Sequence, residues 1–120
     1  MAPPAANYAH AIVSHGAGTW LHTSGVLPVR PDGSVPDGIE AQAEAVWANL
    51  TAILAEAGMS ASDVVSITTY VVVDHLGSLG VVMTARDRAL GGHRAASTLV
   101  TVPSLARPEW KLEIALVAAR

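Results

Sequence analysis

Residues 94–118 contain two apolar, strand-like stretches on either side of a loop with two prolines. The stretches cover about residues 97–102 and 111–118, and the loop between them reads Pro-Ser-Leu-Ala-Arg-Pro-Glu-Trp. A single carboxylate, Glu113, lies within the second stretch. Burying an unpaired carboxylate costs several kcal/mol. We therefore expect either that this strand has a solvated face, or that Glu113 has a partner and a function.

The N-terminal third of the chain has the pattern of two more strands. Residues 8–15 and 19–27 are largely apolar and are separated by the turn sequence Gly16-Ala17-Gly18. Residues 28–38, which include three prolines and two glycines, are predicted to form a loop or a frayed hairpin.

A helix is predicted from Ile39 to Ala57, because apolar residues recur there at spacings of three and four. Asp37 is expected to cap its first turn, with Glu40 as the partner in a capping box. Gly58 suits the left-handed position that closes a helix.

Residues 63–73 are rich in β-branched side chains and are predicted to form a central strand. Ser78 is expected to cap a second helix that runs to about Leu90 and ends at Gly91-Gly92. The predicted order is β-β-α-β-α-β-β, with room for an extra short strand near residue 35. A chain of 120 residues fits a single domain over residues 1–120.

Both faces of the predicted sheet carry apolar residues. In the last strand the alternation places Leu112, Ile114 and Leu116 on one face, and Lys111, Glu113, Ala115 and Val117 on the other. In the central strand it places Val65, Ile67, Val71 and Val73 opposite Val64, Ser66, Thr68, Tyr70 and Val72. Because two helices can cover only one face, we expect another subunit to cover the second face.

Composition narrows the classes of function. The net charge is −3 with seven Lys and Arg, which argues against a nucleic-acid partner. The absence of cysteine excludes disulfides, thiolate catalysis and cysteine zinc sites. No apolar run approaches the roughly 18 residues that would span a membrane, and the first residues lack a secretory pattern. We expect a cytoplasmic protein with no membrane partner.

Common catalytic and cofactor motifs are missing. The five histidines show no recognised ligand spacing, so we expect no metal and no cofactor. Ser24 is the only plausible nucleophile for a triad, but it lies in no Gly-x-Ser-x-Gly elbow. Gly77-Ser78-Leu79-Gly80 is a turn sequence rather than a phosphate loop, and Trp47 and Trp110 are expected to be packing residues.

Several short motifs together resemble the RidA/YjgF family of small trimeric proteins, which hydrolyse reactive enamines and imines. They are Asn7-Tyr8, Thr23-Ser24-Gly25, Ala55-Glu56-Ala57-Gly58, Asp63-Val64-Val65, Ser97-Thr98 and Leu112-Glu113-Ile114. The resemblance implies an α+β, chorismate-mutase-like fold, with a mixed sheet of five to six strands and two helices on one face. It also implies a homotrimer around a central barrel, with clefts for a small-molecule ligand between neighbours.

The resemblance also implies a set of cleft residues: Tyr8, Ser24, Gly25, Thr98 and Glu113. Backbone N–H groups near Gly25 and Thr98 would bind a carboxylate or polarise a carbonyl, and Glu113 would hold a water or transfer a proton. The alternative for Glu113 is a solvated strand residue paired with Lys111.

The chain departs from the family pattern at three places. Ala96 stands where the substrate-clamping arginine is usual, Met83 lies near a common Asn position, and the loop between the last strands is longer by about two residues. Arg94 is the nearest cation and, two residues before Ala96, shares its face of an extended chain. It is either a substitute clamp or a solvent-facing loop residue, and Arg107 is a weaker candidate.

Two functions therefore remain open. The first is an imine deaminase whose substrate differs from 2-aminoacrylate, because Ala96 cannot form a bidentate contact with a carboxylate. The second is a non-catalytic trimer that binds a metabolite or regulates a partner. The endoribonuclease activity sometimes attributed to the family is disfavoured by the acidic balance of charge.

Overall fold

A four-stranded mixed sheet with two helices on one side forms the structure, a computed structural model that describes residues 1–120. The elements are β1 (Trp20–His22), α1 (Ile39–Glu56), β2 (Val64–Val72), α2 (Leu79–Leu90), β3 (Ala96–Val102) and β4 (Leu112–Ala119). The strand order is β1-β4-β2-β3, in which β2 and β3 are parallel and the other neighbours are antiparallel. Neither helix has the length and apolar character needed to span a membrane.

The sheet has fewer strands than the five to six that the sequence predicts. Residues 8–15 form no strand, because only Ala9 pairs with the sheet, at Ala96. Beyond that bridge the segment leaves Ile12 and Val13 exposed and unpaired with the sheet. No strand forms near residue 35 either.

The predicted strand at 19–27 is interrupted after His22. The Thr23 hydroxyl accepts the Leu116 N–H at 2.9 Å, so a side chain replaces a backbone acceptor there. Pairing resumes at Val26, whose N–H and C=O both bond Ile114, at 2.7 and 3.1 Å. Ser24 and Gly25 therefore bulge out of the ladder beside β4.

The helix boundaries match the sequence prediction more closely than the caps do. Gly38, not Asp37, is the N-cap of α1, and no side chain caps that end. Ser78 occupies the N-cap of α2 as predicted, but its side chain makes no capping hydrogen bond. Gly58 and Gly91 have the left-handed backbone expected after each helix, with φ of 70° and 57°.

The helices cover one face of the sheet, as the alternation in β4 predicts. Leu112, Ile114 and Leu116 are buried beneath α1 and α2, whereas the residues between them are partly exposed. In β2 the predicted alternation is wrong at its start. A register shift between Val64 and Ser66 turns Val64, rather than Val65, into the core.

The other side of the sheet, which we call the open face, has no cover within the chain. Trp20 and Val100 are 48% and 39% exposed there. The strand registers place on this face Trp20, His22, Ser66, Thr68, Tyr70, Ala96, Thr98, Val100, Glu113, Ala115 and Val117.

The buried side chain of Gln42 holds the segment that leads into β4. The Gln42 amide donates to the carbonyls of Pro36 and Glu109, both at 2.8 Å, and its oxygen accepts the Lys111 N–H at 2.9 Å. All three partners are backbone groups, so Gln42 joins α1 to two loops at once. It thereby holds the chain two residues before Glu113.

Candidate functional site

Glu113 lies directly against the backbone of Gly25. A Cβ atom at residue 25 would overlap the Glu113 carboxylate, so the side chain can keep this position only while residue 25 is glycine. The carboxylate is partly exposed and forms no ion pair, with Lys111 or with any other residue. It is therefore available to a ligand that reaches the open face.

Tyr70 stands beside Glu113 on the same face. The two residues are opposite each other in the β2–β4 register, and Val100 is opposite Tyr70 on the far side of β2. Cross-strand neighbours have Cβ atoms about 4.5–5.5 Å apart. Sequence reasoning assigned Tyr70 to this face of its strand but gave it no role, because the pairing register cannot be read from the sequence.

Thr98 lies on the same face of the sheet as Glu113, but not directly across from it. It pairs with Thr68, which in turn pairs with Ala115. Two strand spacings, and two residues along the strand direction, therefore separate Thr98 from Glu113. This amounts to about 12 Å between their Cα atoms. Within one chain the two residues cannot contact the same small imine.

Hydrogen bonds join the N-terminal segment to the beginning of β3. The Ala9 N–H donates to the Ala95 carbonyl at 3.0 Å, and the Arg94 Nε donates to the Asn7 Oδ1 at 2.7 Å. These contacts bring Tyr8 and Arg94 to the same end of β3 as Ala96. Arg94 is exposed, and its other guanidinium nitrogens have no partner in the chain.

The six predicted site residues thus form two separate groups. The acid group consists of Ser24, Gly25 and Glu113, and the arginine group consists of Tyr8, Arg94 and Thr98. None of the six lines any of the five principal cavities of the chain. The largest cavity, about 430 Å³, lies instead between α1 and α2, away from the open face.

Three of the five histidines have partners within the chain. His93 and His10 each place Nε2 at 2.7 Å from a backbone carbonyl, of Val64 and Ala2 respectively. His22 stacks on Trp20 with ring centroids 6.4 Å apart. No three side chains of the His, Cys, Asp or Glu type lie together in a way that could hold a metal ion.

Solved structures of known proteins match this fold. The structure matches a Rid family protein, YyfB from Yersinia pestis, with a TM-score of 0.84 and 31% identity, over 95% of this chain and 87% of that one. It matches Escherichia coli TdcF with bound serine at a TM-score of 0.78 and 27% identity, over 100% of this chain and 90% of that one.

Sequence comparisons agree with the fold. The family model described as Endoribonuclease L-PSP matches residues 1–120. The chain therefore belongs to this family, the RidA/YjgF family that its motifs indicate. The "Putative reactive intermediate deaminase TdcF" of Escherichia coli is 28% identical over 106 residues, which is 86% of this chain and 81% of that protein. A "RutC family protein" of Haemophilus influenzae is 44% identical over 55 residues, or 45% of this chain and 42% of that protein.

Proposed function

We propose that this protein hydrolyses a reactive enamine or imine to a carbonyl compound and ammonia, in clefts between the subunits of a homotrimer. The observation that carries the proposal is the Glu113 carboxylate, held over Gly25 on the open face without a counter-ion. The relatives named as reactive intermediate deaminases support the same class of reaction.

A trimer would complete the site that one chain leaves divided. The Cα atoms of Glu113 in the acid group and Thr98 in the arginine group are about 12 Å apart in a single chain, and neither group lines one of the five principal cavities. The open face between them carries exposed apolar side chains, including Trp20 and Val100. In a trimer with the helices outside and the sheets around a central barrel, the arginine group of one subunit would face the acid group of its neighbour.

The chemistry assigned to Glu113 is proton transfer to and from water. The carboxylate takes a proton from water as the water oxygen bonds to the imine carbon, and it passes this proton to the nitrogen as the C=N double bond becomes single. The carboxylate then takes the hydroxyl proton of the resulting carbinolamine and delivers it to the amino nitrogen as the C–N bond breaks, which releases ammonia and leaves the carbonyl product. An enamine first takes a proton at carbon to become the imine. Water is the only co-reactant that these steps consume.

The substrate is expected to differ from that of family members with the usual arginine. Ala96 has no charge to offer a carboxylate. Arg94 lies two residues away, and Asn7 holds its Nε while the remaining guanidinium N–H groups are free. We propose that Tyr8, Ser24, Gly25, Arg94 and Thr98 surround the small-molecule ligand, with a weaker hold on the carboxylate than a bidentate clamp gives.

The direct test is the release of ammonia from imines generated in situ by oxidation of amino acids. The protein should shorten the lifetime of at least one imine, in proportion to its concentration, without added metal or cofactor. An unrelated protein of equal concentration serves as the control. No acceleration with any imine would contradict the proposal.

Ala96 also favours a second candidate, a trimer that binds a metabolite or regulates a partner without turning the ligand over. Such a protein would bind stable carboxylic acids or their analogues and gain thermal stability, yet leave imine lifetimes unchanged. The ammonia assay and a thermal-shift titration with the same set of compounds separate the two functions.

A further inference from the structure

Tyr70 places an aromatic ring directly beside the proposed catalytic acid. It lies on the open face, partly exposed, and pairs with Glu113 in the β2–β4 register. Residues opposite each other in a sheet have Cβ atoms about 4.5–5.5 Å apart, so the ring is a direct neighbour of the Glu113 side chain. The Tyr70 hydroxyl has no hydrogen-bond partner in the chain and is not sealed from solvent. Packing within one chain therefore does not explain why this position is a tyrosine.

The carboxylate of Glu113 leans away from this ring. It lies over the backbone of Gly25, where a Cβ atom would overlap it. Gly25 belongs to the segment that flanks β4 on the β1 side, next to the bridge between Val26 and Ile114, whereas Tyr70 flanks β4 on the β2 side. The acid and the ring thus stand on opposite sides of β4, on the same face of the sheet.

The surface of β4 between the acid and the ring has little side-chain bulk on one side of Glu113. Ala115, the next residue of β4 on this face, contributes only a methyl group. Neighbouring strands are about 4.8 Å apart, so the backbones that carry Gly25 and Tyr70 are about 9–10 Å apart. A substrate whose reacting carbon meets the carboxylate would therefore place its side chain against the ring.

We propose that Tyr70 is a specificity-determining residue, whose ring packs against an aromatic side chain of the imine. The inference rests on the proposed function and refines its substrate class to imines with an aromatic side chain. Two rings in contact gain from the apolar surface that they remove from water and from offset or edge-to-face geometry. A methyl group in the same place covers much less of the ring. Tyr70 takes no part in the proton transfers of Glu113.

The test compares two imines generated in situ by D-amino acid oxidase, from D-alanine and from D-phenylalanine. Both imines carry a carboxylate, so they differ only in the side chain, which is methyl or benzyl. We expect kcat/KM of the wild type to be about five- to tenfold higher for the phenylalanine imine. A ratio of one or less, or failure on both imines, would overturn the inference. Failure on every imine tested would overturn the proposed function as well.

Two variants at position 70 separate the ring from its hydroxyl. Tyr70→Val removes the ring but keeps a residue that favours strands, and it should lower the ratio to about one or two by loss of activity on the phenylalanine imine. Tyr70→Phe keeps the ring and should keep the ratio within about twofold of the wild type. A merely structural role would reduce activity on both imines alike. An equal loss for both imines in Tyr70→Val, an unchanged ratio, or a changed oligomeric state would overturn the inference.

Ala115→Val probes the same space from β4 and keeps the inference testable if Tyr70→Val does not fold. The two added methyl groups narrow the space in front of the ring. Activity on the phenylalanine imine should therefore fall by about threefold or more, while activity on the alanine imine should change by less than about twofold. Equal effects of Ala115→Val on the two imines would overturn the inference.

Discussion

The Glu113 carboxylate occupies the space in which a side chain at residue 25 would lie. Gly25 is free of the ladder because the Thr23 hydroxyl, rather than a backbone carbonyl, accepts the Leu116 N–H. The position of the acid on β4 thus depends on the absence of a side chain in a neighbouring segment 88 residues earlier in the sequence.

Replacing Gly25 with alanine should therefore displace Glu113. We expect Gly25→Ala to lower imine hydrolysis by about tenfold or more, since misplaced catalytic groups lose much of their effect. The free energy of unfolding should change by no more than about 0.5 kcal/mol, because the overlap is with the flexible, partly exposed end of Glu113, which can turn aside. Ammonia release and urea denaturation measure the two effects.

Gly18→Ala is the matched control, because a Cβ atom there meets nothing within 4 Å and the backbone φ is not positive. It should leave both activity and stability unchanged. If Gly25→Ala behaved like Gly18→Ala, the close contact with Glu113 would have no functional importance.

Gln42 is expected to be a major determinant of stability at the β4 end of the sheet. Gln42→Leu leaves the carbonyls of Pro36 and Glu109 and the Lys111 N–H without partners in a buried setting. Each such group costs about 1–3 kcal/mol, and partial rehydration should limit the total to roughly 2–4 kcal/mol. Urea denaturation at neutral pH measures the loss, with the exposed Thr51→Ala on the same helix as the control.

The open face should be the surface on which subunits associate. We expect the wild type to be a homotrimer by light scattering on a sizing column, and Val100→Asp to be a monomer, because a charge on this face opposes burial. Val81 is 37% exposed on α2, close to the 39% of Val100. Val81→Asp should leave the trimer intact. A wild-type monomer at micromolar concentration would contradict the proposed cleft.

Deamination of 2-aminoacrylate should be weak or absent. Ala96 lacks the bidentate charged contact that typically contributes about 1.5–3 kcal/mol, which corresponds to roughly ten- to a hundredfold in rate. An assay coupled to a serine dehydratase measures this activity. Vigorous turnover would show that another cation replaces the clamp, and its loss in Arg94→Ala would identify Arg94.

The order of the main elements could be predicted from the sequence because each element has a strong local signal. The three-four spacing of α1, the β-branched residues of β2 and the alternation of β4 agree with the packing that the structure shows. The prediction at residues 8–15 failed because apolar composition does not guarantee a partner strand. Ile12 and Val13 are apolar but remain exposed in the chain.

The site could be predicted less completely from the sequence, because its geometry depends on pairing between distant segments. Glu113 was found as a lone acid in an apolar strand, but its contact with Gly25 follows from the bulge at Thr23. Tyr70 was assigned no role because its place opposite Glu113 is a matter of register.

The most direct test of the account is the activity of Glu113→Gln on an imine that the wild type hydrolyses. The amide keeps the shape of the side chain over Gly25 but cannot shuttle a proton. We expect the variant to remain a trimer and to lose activity by a factor of about 10² or more. Full activity in Glu113→Gln would contradict the assignment of Glu113 as the catalytic residue, and dissociation of the trimer would assign Glu113 to the interface instead.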